Sequence, residues 1–355
     1  VRGGEGFDLV ECTDWGLFFV PWLLDPSSPP LVVRFHGSDG QIAYHDPDSC
    51  SPLFASLCQL IESALLPRAA LRVTYSQSNQ RAWSSQLLRN VEFCPPSLCL
   101  DAIHDSSIPS NTRGLVVGRV QKWKGPDTLC RALQLLGTEA PFVDWIGRSV
   151  NTTPTGQSYV AHLKKSFPDV WGSRICHLPP ETPIQIKQRQ SHAGFVLVPS
   201  EWDVFNFTAA EAMGRQSVVI CSTGAGASEL IDHGVNGFLF DAGDAQNLAA
   251  VIQQVQALSS EQRSVIGRRA RTRVAEMLDP NEIARITIEQ FTSAMHASNA
   301  PVSDQDLLRA ILSPANTTVN ASSAMLRSLA SIDLKILLQH IAFRLGHKVL
   351  NGFRR

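Results

Sequence analysis

Between Phe7 and about Phe240, short apolar runs take turns with segments of helical periodicity. Such an alternation builds strand-helix units around a parallel sheet, so the fold class it predicts is α/β. A first series offers strands at FDLVEC (7–12), LVVRFH (31–36), RVTYS (72–76) and VEFC (91–94), with an amphipathic helix at LFASLCQLIESALL (53–66). A second offers LVVG (115–118), FVDWIG (142–147), RICHL (174–178), GFVLVPS (194–200), SVVICS (217–222) and GFLF (237–240). Six strands complete a doubly wound sheet.

A chain of 355 residues fits two domains at about 100 to 200 residues each. The polar, proline-containing stretch CPPSLCLDAIHDSSIPSNT (94–112) has the composition of a linker, which places a boundary near Asn111. The expected division is 1–112, a short or truncated first domain; 113–299, a second; and 300–355, a helical extension. The extension begins with a Ser/Ala/Asn/Thr-rich link at 313–324 and ends in a helix around Met325 to Leu350.

Lys+Arg 31 against Asp+Glu 32 gives a net charge of -1, which argues against a dedicated nucleic-acid binder. No apolar run reaches the ~18 to 20 residues of a membrane span and no signal peptide opens the chain, so the expected location is cytoplasmic. The eight cysteines lack zinc-site spacing and read as reduced thiols. The pair Asp46 and Asp48 flanks a proline in a stretch that reads as a turn rather than a metal site.

Charged residues make up only 18% of the chain, so those at strand ends are informative. In GRVQKWKG (118–125), Gly118, Arg119 and Lys124 follow a buried strand, at the end of an open α/β sheet where ligands bind. Arg and Lys in one loop suit a diphosphate; an ordinary solvated loop is the alternative. In PSEWDVFNFTAAEAMGRQ (199–216), Asp203 lies in a loop, Glu211 in the first turns of a helix, and the amides of Asn206, Phe207 and Thr208 at its amino end, a natural phosphate site. The alternative is that Asp203 and Thr208 cap the helix and Glu211 is exposed. Gly224 and Gly226 in SVVICSTGAGASELI (217–231) follow a strand too late for a dinucleotide fingerprint, and are expected to let backbone approach a ligand. The arginines of 260–277 read as a solvated face.

Taken in order, GRVQKWKG, DWIG, VLVPSEWDVFNFTAAEAMG, SVVICSTGAGASELI and HGVNGFLF resemble the carboxyl-terminal domain of retaining GT-B glycosyltransferases of glycosyltransferase family 4, over about residues 113 to 260. The resemblance implies two Rossmann-like domains facing a cleft, with the first on the acceptor side. It implies transfer of a sugar from a nucleoside diphosphate sugar to an acceptor hydroxyl, lipid-linked or otherwise, with retention, without metal or other cofactor and without nucleic acid. By position, Arg119 and Lys124 match the residues that hold the donor diphosphate, and Asp203 the first carboxylate of a paired-glutamate motif, beside the donor sugar. Glu211 matches the second, which binds ribose. Asn206, Phe207 and Thr208 match the loop whose amides meet sugar and phosphates, with Asn206 where glycine is usual. His36 of VVRFHGSDG matches a strand-end histidine near the transferred sugar; on residue type alone it reads as a hydrogen-bonded histidine.

Two departures stand out. Asp203 is one methylene shorter than the usual Glu. The first series offers about four strands and no glycine-rich loop after a first strand, so either upstream residues were removed or the domain is reduced. A nucleotide-sugar epimerase on a GT-B fold, and a nucleotide-sugar-binding subunit without catalysis, are the competing functions. The last helix carries Arg327, Lys335, Arg344, Lys348, Arg354 and Arg355. Packing on the body is favoured over peripheral contact with an anionic membrane face.

Overall fold

The computed structural model describes residues 6–102, 112–150 and 156–300. Among them ten strands form two parallel sheets. The first contains β1 (Val10–Thr13), β2 (Leu31–Phe35), β3 (Leu71–Thr74) and β4 (Glu92–Phe93), in the order β1-β2-β3-β4. The second contains β5 (Gly114–Val117), β6 (Val143–Ile146), β7 (Ile175–Leu178), β8 (Phe195–Val198), β9 (Val219–Ser222) and β10 (Phe238–Phe240), in the order β10-β9-β8-β5-β6-β7. Every expected strand forms. The central β8 and β9 are buried along their whole length, as a parallel strand covered on both faces must be apolar throughout. At the edges of the first sheet, β1 and β4 carry Glu11 and Glu92 and are only partly covered.

Eleven helices are described: α1 (Val20–Leu24), α2 (Asp39–His45), α3 (Pro52–Leu65), α4 (Gln77–Leu87), α5 (Pro126–Leu136), α6 (Tyr159–Ser166), α7 (Pro183–His192), α8 (Phe207–Gly214), α9 (Ala245–Gln256), α10 (Ser260–Met277) and α11 (Pro280–Met295). Local chemistry fixes their starts. Ser51 caps α3 through the Phe54 amide, and Pro52 needs no amide partner there. Thr182 with Gln185, and Ser259 with Gln262, close capping boxes on α7 and α10.

Alternate strand residues feed opposite cores. Val116, Trp145, Phe195, Leu197 and Ile220 pack with α5, α6 and α9 on one face of the second sheet. Leu115, Ile146, Val196, Val198 and Val219 pack with α8 and α10 on the other. Helices on both faces make the sheet doubly wound, and its strand order reverses between β5 and β8. That switch point opens a crevice beyond the carboxyl ends of those two strands. The first sheet, with its unreversed order, has no such point among the described residues.

Three findings depart from expectation. First, α11, grouped by sequence with residues 113–299, crosses back to the first sheet: Ile283 and Ala294 pack with Val32 and Val73. Asn299 Oδ1 accepts from the Leu31 amide at 2.9 Å. Second, part of the linker is fastened down, since Leu98 and Leu100 pack against the second core and Asp101 pairs with Lys187 and Arg215. Third, the arginines of α10 are not simply a solvated face: Arg263 donates to the Gly194 carbonyl at 2.6 Å and Arg271 to the carbonyls of Gly214 and Asp101. An amphipathic pattern registers guanidinium groups as polar but does not say that carbonyls wait within reach. The boundary near Asn111, the link at 313–324 and the last helix lie outside the described residues.

Candidate functional site

The loops leaving β5 and β8 meet at the switch point. The Glu201 amide donates to the Trp123 carbonyl at 2.9 Å, and Thr128 Oγ1 to Glu201 Oε1 at 2.8 Å. Gly125 makes this approach feasible: its φ is +72°, and a Cβ there would lie 1.8 Å from the Pro199 carbonyl oxygen. The meeting of the loops brings Lys124 Nζ onto Asp203 Oδ2 as an ion pair. The same carboxylate oxygen accepts from Asn206 Nδ2 at 2.9 Å. Three residues read from separate positions in the sequence thus share one oxygen atom.

Asp203 does not cap α8. The N-cap is Asn206, at φ +81°, and its side chain makes no capping hydrogen bond to the helix. The positive end of the helix therefore faces the crevice beside Lys124, an arrangement suited to an anion. Thr208 Oγ1 lies 3.4 Å from the Val117 carbonyl, tying the start of α8 to the end of β5 next to Gly118. Trp145 Nε1 donates to the Gly118 carbonyl at 2.9 Å and pins that turn. Arg119 is exposed on the same loop and takes no part in the Lys124 cluster.

Glu211 lies farther along α8, half-buried. Burial pushes its carboxyl above the ordinary value, against the Arg215 and Lys187 charges that favour ionisation. No hydrogen bond links it to the Lys124 cluster. Gly224 and Gly226 sit where backbone approaches backbone. A Cβ at Gly224 would lie 2.2 Å from the Glu201 carbonyl oxygen, and one at Gly226 would strike the Val204 carbonyl and Ser76. They let the loop after β9 lie against the loop after β8, where the Gly226 amide donates to the Asp203 carbonyl at 3.0 Å.

The first sheet supplies the facing wall. His36 leaves β2 with its ring 5.0 Å from Tyr75, edge to face; Tyr75 in turn lies 6.1 Å from Phe207. Partial burial, then the Arg34 charge, hold the His36 imidazole below its ordinary pKa, so it is neutral at pH 7. Across the same gap His45 stacks on Trp202 at 4.4 Å and 6°, and Trp202 on Trp123 at 4.9 Å. Burial drives His45 down to about 4, keeping the stacked ring uncharged. Glu229, from the loop after β9, accepts from the Gln77 and Ser78 amides at 2.9 and 2.7 Å, capping α4 from the other half of the molecule.

These partners were not identified from sequence, although some left a trace. Trp123 and Trp202 each immediately precede a charged site residue, Lys124 and Asp203. Asp14 and Glu62 are fully buried carboxylates, and Glu62 interrupts the apolar stripe of α3 between Cys58 and Leu65. A charge in such a stripe signals a specific partner. Asp46, read as a turn residue, ends α2, and Asp48 pairs with Lys122 at 3.5 Å. A cavity of about 500 Å³ beside α7 is lined by Arg113, Asp144, Arg189 and Glu181. Their charges are engaged with one another, away from the switch point.

Two parallel sheets with a crevice at the switch point of the second make the GT-B fold, which solved structures share. Sucrose-phosphate synthase from Thermosynechococcus elongatus superposes with a TM-score of 0.65 at 20% identity, over 81% of this chain and 73% of that one. Anabaena HepE in complex with UDP and glucose gives 0.61 at 22%, over 75% and 72%. At the level of family, residues 109–273 match the model described as Glycosyl transferases group 1. Among curated relatives, the D-inositol 3-phosphate glycosyltransferase of Pseudarthrobacter chlorophenolicus is 27% identical over 188 residues, 53% of this chain and 44% of the relative. Another from Catenulispora acidiphila is 30% identical over 143 residues, 39% of this chain and 34% of the relative. The matches thus span less than half the length of these curated relatives. Among the described residues no helix is long and apolar enough to cross a membrane.

Proposed function

We propose that the protein transfers a sugar from a nucleoside diphosphate sugar to an acceptor hydroxyl with retention at the anomeric carbon. The observation that carries this reading is the Lys124–Asp203 pair beside the uncapped start of α8. A cation, a carboxylate and a helix amino end converge there at a topological switch point. In the proposed reaction Lys124 turns from Asp203 to the diphosphate, joined by Arg119 and the amides at Phe207 and Thr208. They stabilise the charge that grows as the bond between the anomeric carbon and the phosphate oxygen breaks. Asp203, released from Lys124, accepts from a hydroxyl of the sugar. The acceptor oxygen bonds to the same face of the anomeric carbon and its proton passes to the departing phosphate, so no carboxylate nucleophile is required. Neutral His36 can share a hydrogen bond with the transferred sugar, and Glu211 is assigned to the ribose.

HepE was solved with UDP and glucose, which makes UDP-glucose the first probe. The test is a thermal-shift panel of UDP- and GDP-sugars. A ligand at 100 times its Kd stabilises by about 2.7 kcal/mol. Lys124→Ala and Arg119→Ala are expected to lower turnover at least tenfold, with acceptor binding little changed. Wild-type rates in either variant would remove that residue from the mechanism. Donor incubated alone must return no epimerised sugar nucleotide, and binding without transfer or hydrolysis would mark a binding subunit instead.

A further inference from the structure

The loop from His36 into the first turn of α2 at Gly40 is held from behind by carboxyl groups that the proposed chemistry does not use. Asp14 Oδ1 accepts from the His36 amide at 2.9 Å, and Asp14 Oδ2 lies 3.4 Å from the Gly37 nitrogen. Glu62, reaching across from α3, accepts from the Gly40 amide at 2.9 Å, and its second carboxyl oxygen is hydrogen-bonded with Ser38 Oγ at 2.8 Å. Its carboxyl group is entirely out of solvent. In front, the loop bears on the other wall of the crevice, where a Cβ at Gly37 would lie 3.2 Å from the Trp202 ring, while His36 meets Tyr75 on its own side. The loop is thus wedged between a buried hydrogen-bonding anchor and the aromatic residue that precedes Asp203.

We propose that Glu62 is a positioning residue: by holding Ser38 and Gly40 it fixes His36 and Gly37 against Tyr75 and Trp202, and so sets the place of the imidazole over the crevice. Its consequence for transfer rests on the reading above; its consequence for His36 does not. Among the described residues no cation pairs with Glu62, so the anchor seen there consists of directed hydrogen bonds rather than charge. Burial pushes the carboxyl up to about 8, which favours the neutral acid near pH 7. A glutamine, with one acceptor for the Gly40 amide and an NH2 able to donate to Ser38 Oγ, can therefore reproduce the anchor. Methionine fills the volume and offers neither bond.

The experiment compares Glu62→Gln and Glu62→Met in the full chain at pH 7, with two readouts. The first is the His36 ring resonance by NMR, assigned with a His36→Gln variant and carrying the ring-current shift of Tyr75. It is expected to stay in place in Glu62→Gln and to move in Glu62→Met while the other histidines hold. The second is UDP-glucose hydrolysis and transfer. A displacement on the order of 1 Å costs about 100-fold, so Glu62→Met is expected to lose ten- to a hundredfold in kcat with the donor KM within twofold of wild type. Glu62→Gln should stay near wild type in both. If Glu62→Met does not fold, Ser38→Ala removes the loop's side of the anchor and must displace the same resonance. An unmoved His36 resonance in folded Glu62→Met, or a Glu62→Gln variant as impaired as Glu62→Met, overturns the proposal. If His36 moves as expected but wild-type protein turns over no sugar nucleotide, Glu62 keeps its positioning role and the transfer reading fails.

Discussion

Replacing Gly125 with alanine tests whether the crevice depends on the close approach of the loops after β5 and β8. Two costs are expected. The backbone sits at φ +72°, a left-handed conformation that costs a residue with a Cβ roughly 1–2 kcal/mol. The new methyl would also lie 1.8 Å from the Pro199 carbonyl oxygen, in a region too well packed to yield freely. Overpacking of this kind costs about 1–3 kcal/mol more. Gly234 supplies the control: its φ is +76°, but nothing lies within 4 Å of a Cβ there. Gly234→Ala should therefore lose ~1–2 kcal/mol, and Gly125→Ala roughly 2–5 kcal/mol. Urea unfolding followed by tryptophan fluorescence gives both values, provided the slopes match wild type. Because the methyl must push the two loops apart, Gly125→Ala should also separate Lys124 from Asp203 and weaken the response to UDP-glucose, whereas Gly234→Ala should not. Equal midpoint shifts in the two variants would refute the argument that contact with Pro199 governs this position.

Stability should also depend on pH through the buried acids of the first sheet. Burial raises Asp14 from 3.8 to about 7 and Glu62 from 4.5 to about 8. Between the unfolded and folded values the native state holds more protons. Their contribution is therefore full below about pH 4 and is lost as pH rises through 7 to 8. The urea midpoint should fall between pH 5 and pH 8.5, and less steeply in Glu62→Gln; identical pH dependence in the two proteins would show that Glu62 is not raised. Glu229→Ala removes a carboxylate cap from α4, a loss of ~0.5–2 kcal/mol by analogy with other caps. Faster amide exchange in residues 77–87 should report it, and unchanged exchange would mean that Ser76, whose Oγ accepts from the Asn79 amide at 3.3 Å, alone caps the helix.

The central strands were legible because burial on both faces forces continuous apolar runs, and the edge strands because shorter apolar runs stand between turns marked by glycine, proline and charge. Lys124, Asp203 and Asn206 were legible for a related reason: each follows a strand of the second sheet, and a parallel sheet gathers its carboxyl ends along one edge. What those residues do to one another was not. That Lys124 reaches Asp203 depends on strand order, which places β8 beside β5 rather than beside β7. What packs against Gly224 and Gly226 was not legible, because a glycine records that something comes close, not what. In this fold the nearest atoms are the Glu201 and Val204 carbonyls.

By itself the sequence determined the α/β class, the positions of the strands and the polar residues at their ends, because periodicity and local turn chemistry act over a few residues. Tertiary structure alone decided that α11 returns to the first sheet, that Trp202 lies between His45 and Trp123, and that Glu62 anchors the His36 loop. These contacts join residues far apart along the chain. Their energies come from packing and from hydrogen bonds that must be satisfied out of water, so no local pattern encodes which partners will meet.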